Sequence, residues 1–271
     1  MRRPIVRRRR STQRLRKGIY LIPSLFTVGN MFCGFLSVIE SSRGHFEPGN
    51  GHFERAAILI LFAIIADILD GRIARMTGAT TSFGEAYDSL ADVVSFGVAP
   101  CLLAYQWGLW QVPRAGGAVA FLFLVAVSIR LARFNISAHD AHDFSGLPSP
   151  AGAGAVALLV LLSPTPVQHP SFIPVVGAVV LCLALLMVSN LPYRSFKDLN
   201  LKRQWPAPTL FAIALVFSLI TLDPRLLSVL AALYILSAPV AVLTRRLRPR
   251  KSGPSITTKP RSDDGIEDSD R

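Results

Sequence analysis

Eight stretches of this chain are apolar enough, or nearly so, to cross a bilayer as helices: near residues 19–40, 56–75, 84–107, 116–133, 150–164, 171–190, 207–222 and 225–243. A hydrocarbon core of about 30 Å takes about 20 such residues at a helical rise of 1.5 Å each. Inside lipid, every backbone polar group must be satisfied within the protein, so runs of this length predict an all-α polytopic membrane protein. The charge content agrees, because only 17% of the 271 residues are charged, against about 25% in soluble domains. The first run is too long for a cleaved signal, and no convincing small-residue site follows it.

The net charge of +12 is carried by the two ends. Nine Lys/Arg and no acid occupy the first 17 residues, while the 28 residues from Thr244 hold eight bases against five acids. A nucleic-acid binder is expected to show a basic face on a folded domain; here the bases flank apolar segments, which predicts contact with anionic lipid rather than nucleic acid. With the N-terminus inside, 23 Lys/Arg fall on the cytoplasmic side and four on the other, so both termini are expected in the cytoplasm. Trp107, Trp110 and Trp205 fall at segment ends, as headgroup-level anchors would. Cys33, Cys101 and Cys182 lie far apart within apolar runs and support neither a disulfide framework nor a zinc site. The expected organisation is a basic head (1–18), a membrane core (19–205), two further spans (206–243) and a disordered tail (244–271).

Ionisable residues within membrane segments are costly and mark function by default. The second and third segments carry Asp67, Asp70, Arg72, Arg75, Glu85, Asp88 and Asp92. Asp67 and Asp70 are three apart and Asp88 and Asp92 four apart, so each pair shares a helix face. Gly71 and Ala74 lie beside the first pair and Gly84 one turn before Asp88, leaving room for a bulky ligand. A short polar turn, Met76 to Phe83, lets two antiparallel helices aim all four carboxylates at one another. Such a quartet calls for neutralisation, and all-oxygen donors suit two Mg²⁺ or Mn²⁺ ions shared with substrate phosphates. Arg75, one turn beyond the first pair, is placed to meet the same phosphates. The expectation is a two-metal site for phosphoryl-type transfer. Buried ion pairs joining helices, or the cation path of a transporter, are the competing readings.

The segment has the form D-x2-D-G-x2-A-R-x8-G-x3-D-x3-D through Asp67, Asp70, Gly71, Ala74, Arg75, Gly84, Asp88 and Asp92. In every position it resembles the signature of the CDP-alcohol phosphatidyltransferases. Softer similarity to the serine-using branch lies in Ile22-Pro23-Ser24-Leu25-Phe26-Thr27 with Asn30, in Ser95-Phe96-Gly97-Val98-Ala99-Pro100, in Arg130-Leu131-Ala132-Arg133-Phe134-Asn135 and in Gly146-Leu147-Pro148-Ser149-Pro150. The resemblance covers roughly residues 19–200. It implies a six-helix catalytic core that moves the phosphatidyl group of CDP-diacylglycerol to an alcohol, here L-serine, and releases CMP; glycerol 3-phosphate or an inositol compound is the alternative acceptor.

Carried over by resemblance, Asp67, Asp70 and Asp88 are metal ligands, and Asp92 combines metal binding with the role of general base. Gly71, Ala74, Arg75 and Gly84 line the CDP pocket, joined by Asn30, for which an interhelical hydrogen bond is the plainer reading. Arg130 and Arg133 either snorkel or receive the serine carboxylate, and Ser95 continues the Asp88/Asp92 stripe toward the acceptor. By analogy a homodimer and a bacterial inner-membrane location are expected. His139, Asp140, His142 and Asp143 read as a solvated loop, as do Lys197, Lys202 and Arg203.

Overall fold

The computed structural model describes residues 12–77, 81–112, 114–137, 146–191, 193 and 224–247. All regular structure among them is helical: α1 (Thr12–Phe46), α2 (His52–Thr77), α3 (Ser82–Asp92), α4 (Ala99–Trp107), α5 (Ala115–Ser137), α6 (Ser149–Leu162), α7 (Ile173–Val188) and α8 (Pro224–Leu247). The 207–222 stretch, Trp205, the His139–Asp143 loop, Lys197, Lys202 and Arg203 lie outside the described residues, as do the beginning of the head and everything after Leu247. Four helical segments among the described residues are long and apolar enough to cross a membrane: Leu25–Phe46, Ser82–Trp107, Ala115–Ile136 and Pro170–Val188. This is a membrane protein. At 26 residues α2 spans about 39 Å, but its acids and arginines set it apart from those four, and α6 has only 14 residues.

The helices outrun their apolar runs. α1 begins at Thr12 and ends at Phe46, so the basic head's last residues already belong to it, and Thr244–Leu247 belong to α8 rather than to a tail. Hydropathy marks only what lipid covers, whereas a helix continues in water until its backbone is broken. The break after α1 comes at Glu47–Gly51, where Gly49 and Gly51 take φ of 99° and 72°, a region open to glycine.

α1 packs along α2 and the α3–α4 rod through one stripe of small and polar residues, Thr27, Asn30, Gly34, Ser37 and Ser41, at alternating three- and four-residue spacing. The four polar members are buried. Ser37 Oγ donates to the Ala56 carbonyl of α2 at 2.8 Å. Small residues at such seams let helix backbones approach where lipid offers no hydrophobic drive. Opposite the stripe, Leu25, Phe32 and Phe35 are exposed, as a lipid-facing surface would be. Near the α1–α2 turn, His52 Nδ1 lies 2.8 Å from Glu40 Oε2 and Arg55 Nε 3.5 Å from the same oxygen.

α3 and α4 form one rod interrupted by a π-helical turn, Val93–Val98. Pro100 has no N–H to offer the Phe96 carbonyl, and its ring would strike that carbonyl in a regular helix. The turn widens instead, with Ala99 N–H donating to Val94 O, five residues back. The core lies where this rod meets α2, α5, α6 and α7, around Ile60, Phe96, Leu103, Phe123, Val127, Val156, Val180 and Met187. Trp107 departs from expectation. It is buried, and its Nε1–H is shared between the Ser163 and Thr165 carbonyls at 2.9 and 2.8 Å, anchoring the chain after α6. Pro164 and Pro166 leave that connection without helical bonding, so its carbonyls accept a side-chain donor. Trp110 remains exposed.

Candidate active site

The end of α2 and the following α3 carry the carboxylates. α2 ends at Thr77, and Thr81 caps α3 with its hydroxyl accepting from Gly84 N–H at 3.0 Å. This is the N-cap arrangement that satisfies an otherwise unpaired first-turn donor. Among the described residues, a Cβ at Gly84 would meet only the Thr81 hydroxyl, at 3.1 Å.

Asp67, Asp88 and Asp92 each present a carboxylate oxygen, all within 4.8 Å of one another. Asp92 is buried, and the other two are partly exposed. Asp70 stands beside this trio, close enough to interact electrostatically with Asp88, but it turns to α1, where Thr27 Oγ donates to its Oδ2. Asn30, one turn along α1, donates from Nδ2 to Asp92 Oδ1 at 3.0 Å. Ser95, in the widened turn, donates to the Asn30 backbone carbonyl at 2.9 Å. α1 is therefore a backboard whose polar stripe orients the acids of both neighbouring helices.

The donor set fits a divalent cation. Asp70 Oδ1, Asp88 Oδ1 and Asn30 Oδ1 are buried acceptor oxygens with no hydrogen-bond donor among the described residues. Buried acceptors left this way cost about 1–3 kcal/mol each, and a hard cation satisfies oxygens of this type.

Arg130 reaches the same site from α5. Its Nη1 donates to Ser149 Oγ, at the start of α6, at 3.0 Å, its Nε is buried without a hydrogen-bond partner among the described residues, and it interacts electrostatically with Asp92. Arg133 does not join it: Nη1 donates to the Val188 carbonyl at 2.9 Å and Nη2 to Asn190 Oδ1 at 3.3 Å. A cation there complements the C-terminal end of α7. Ser95, in the widened turn, is buried against α1. Gly71 and Ala74 lie on the partly exposed face of α2; Arg75 belongs to the same helix, and its side chain lies outside the described residues.

Two contributors escaped the sequence reading, Thr27 and Ser149. Both sit inside stretches that resemble the serine-using branch.

Residues 20–189 match the family model described as CDP-alcohol phosphatidyltransferase. The chain belongs to the CDP-alcohol phosphatidyltransferase family. It is similar to the CDP-diacylglycerol–serine O-phosphatidyltransferase of Helicobacter pylori (strain 26695), 40% identical over 232 residues that cover 80% of this chain and 89% of the relative. The protein of that name from Bacillus subtilis (strain 168) is 35% identical over 177 residues, 65% of this chain and 91% of the relative. The archaetidylserine synthase of Methanothermobacter thermautotrophicus is 32% identical over 174 residues, covering 64% of this chain and 69% of its own length. The resemblance to the serine-using branch is thereby borne out, and the chain is an enzyme of this family, a phospholipid-synthesising transferase.

Proposed function

We propose that this enzyme transfers the phosphatidyl group of CDP-diacylglycerol to the hydroxyl of L-serine, giving phosphatidylserine and CMP. The observation that carries the reading is the convergence of Asp67, Asp88 and Asp92 in a family member whose relatives are named for this reaction. Asp67, Asp70, Asp88 and Asp92 would hold two divalent ions, Mg²⁺ or Mn²⁺; the chemistry supplied there is neutralisation of the pyrophosphate and of the departing CMP. Asp92 takes the serine hydroxyl proton as that oxygen attacks the β-phosphorus, and Asn30 fixes the carboxylate for the transfer. Gly71, Ala74, Arg75 and Gly84 line the CDP side, with Asn30 at its edge. Arg130 meets the serine carboxylate, for which its guanidinium fork is suited, and Ser95 and Arg133 complete the acceptor side indirectly, through α1 and α7.

In the same reading the chain crosses a bacterial inner membrane eight times. Residues 19–205 form the six-helix catalytic core, 206–243 add two spans, and both termini lie in the cytoplasm, where the basic head meets anionic lipid. Incubating the purified full-length protein with CDP-diacylglycerol, Mg²⁺ and a panel of alcohols tests it. Phosphatidylserine and CMP are expected with serine alone. A lipid product from glycerol 3-phosphate or an inositol compound would overturn the acceptor, and cation flux in liposomes without nucleotide turnover would overturn the class.

A further inference from the structure

The last two turns of α5 bond to three different helices. Arg130 Nη1 donates to Ser149 Oγ at the start of α6, Arg133 Nη1 to the Val188 carbonyl at the end of α7, and Asn135 Nδ2 to Ser89 Oγ of α3 at 3.0 Å. Only the third of these bonds reaches a helix that carries the acids. Ser89 follows Asp88 directly and precedes Asp92 by three residues. Its hydroxyl donates in turn to the Glu85 carbonyl, one turn back, at 3.0 Å. Asn135 Oδ1 lies 3.1 Å from the same hydroxyl, so both polar atoms of the amide meet this one group.

The α3–α4 rod and α5 also meet at the widened turn. A Cβ on Gly97 would stand 2.8 Å from Leu124 Cδ1 and 3.5 Å from Val127 Cγ1, and a glycine at such a point lets two helices pack closely. From Gly97 to Ser89 the rod runs back eight residues, about 12 Å, while α5 runs forward from Leu124 and Val127 to Asn135. The two are therefore antiparallel, and Asp92 lies between the two contacts. Five residues back from Gly97 on the rod matches five forward from Leu124 or Val127 on α5, which sets Asp92 level with residues 129–132, the stretch that contains Arg130. Counting three residues from the Ser89–Asn135 bond gives residue 132 again. Asp92 from one helix and Arg130 from the other thus stand at one level of a seam, packed at Gly97 on one side of them and hydrogen-bonded at Ser89 on the other.

We propose that Ser89 and Asn135 are a positioning pair that sets how far the rod stands from α5 at the level of Asp92 and Arg130, and so the fit of the acceptor between them. The Gly97 end of the seam is buried and fixed by packing. The other end is closed by a half-buried hydroxyl and an exposed amide, so its spacing depends on that bond. An acceptor that places its hydroxyl at Asp92 and its carboxylate at Arg130 must span the seam and feels a change in its width. CDP-diacylglycerol has no assigned residue on α5 and does not.

This inference rests on the serine-directed reading above, and its test separates the two. In the full-length protein, Ser89→Ala and Asn135→Ala each remove the bond from one side. The expected result for either is a KM for serine raised about three- to tenfold, the scale of one hydrogen bond, with the KM for CDP-diacylglycerol within about twofold. Ser89→Thr retains the hydroxyl and is expected to keep the serine KM within about twofold of the unaltered protein. The double variant Ser89→Ala/Asn135→Ala is expected to be no worse than either single one, because both substitutions remove the same bond. An unchanged serine KM in either alanine variant, an equal rise for both substrates, a Ser89→Thr variant as impaired as Ser89→Ala, or additive effects in the double variant overturns the proposal while phosphatidylserine formation by the unaltered protein stands. A rise in Ser89→Ala with none in Asn135→Ala would mean that the hydroxyl acts without its partner. If the unaltered protein forms no phosphatidylserine, the serine-directed reading fails and this inference falls with it.

Discussion

A carboxylate within a membrane segment costs about 2.5–3.5 kcal/mol on insertion scales, and α2 and α3 carry four aspartates between residues 67 and 92. Their arrangement assigns each a different support: Asp92 leans on the Asn30 amide and Asp70 on the Thr27 hydroxyl, whereas Asp67, Asp88 and Asp92 face one another. Asp92→Asn keeps the shape of the side chain and an oxygen for Asn30 while removing the ability to take a proton. It should lower serine-dependent CMP release by at least about 10²–10⁴-fold, the span general bases contribute, with an unchanged elution profile in detergent; turnover near the original rate would remove Asp92 from that role. Groups that orient metal ligands typically matter 10–100-fold in affinity. Titrating Mg²⁺ against activity should accordingly show Thr27→Val needing about 10–100 times more metal for half-maximal rate, with Thr27→Ser close to the unaltered protein. Equal behaviour of the two variants would mean that the hydroxyl on Asp70 is incidental.

At the scale of elements, α1 does more than cross the bilayer. Its stripe from Thr27 to Ser41 sets how near it comes to the widened turn after Asp92, and Gly34 is the tightest point. A Cβ there would stand 2.6 Å from Ser95 Oγ and 2.7 Å from Ser95 Cα. Backbone cannot step aside as a flexible side chain can, so Gly34→Ala should separate α1 from the turn, pull Asn30 from Asp92 and cost about 1–3 kcal/mol. At Gly152 the added carbon would instead meet the end of the Met187 side chain, which has other rotamers. Thermal unfolding in detergent should therefore rank Gly34→Ala well below Gly152→Ala, and the reverse order would contradict this account of the seam. The apolar segments and the helix-face spacing of the aspartates were legible in the sequence because both follow from local period and composition. The π turn was not, since its cause, Pro100 in the middle of an apolar run, reads equally as a kink. Nor was the diversion of Arg133 to Val188 O and of Asp70 to Thr27, because each depends on which helices become neighbours and two arginines three apart on α5 look alike until α6 and α7 are placed.

For the molecule as a whole, the chain divides by what each part contributes to the two substrates. α1, α2 and the α3–α4 rod carry the acids and the residues proposed for the CDP side, all within the family-matched region, whereas α8 lies outside it and packs along α6, whose Ser149 accepts from Arg130. Two shortened chains should then behave differently. Ending the chain after Leu247 leaves α8 and its contact with Tyr193 whole, so serine turnover should stay within about twofold. Ending it after residue 223 removes the Tyr234 ring that packs on Tyr193, the Ile235 carbonyl that accepts from the Tyr193 hydroxyl, and the helix that packs along α6 and its Ser149. At the scale of one interaction with a charged group or more, serine turnover should fall at least about tenfold. Binding of CDP-diacylglycerol in the presence of Mg²⁺, followed by equilibrium binding of the labelled lipid, should persist because no residue assigned to it belongs to α8. Loss of lipid binding together with turnover would show that α8 supports the whole fold rather than the acceptor side, and full serine turnover without α8 would show that Arg130 is held by Ser149 alone.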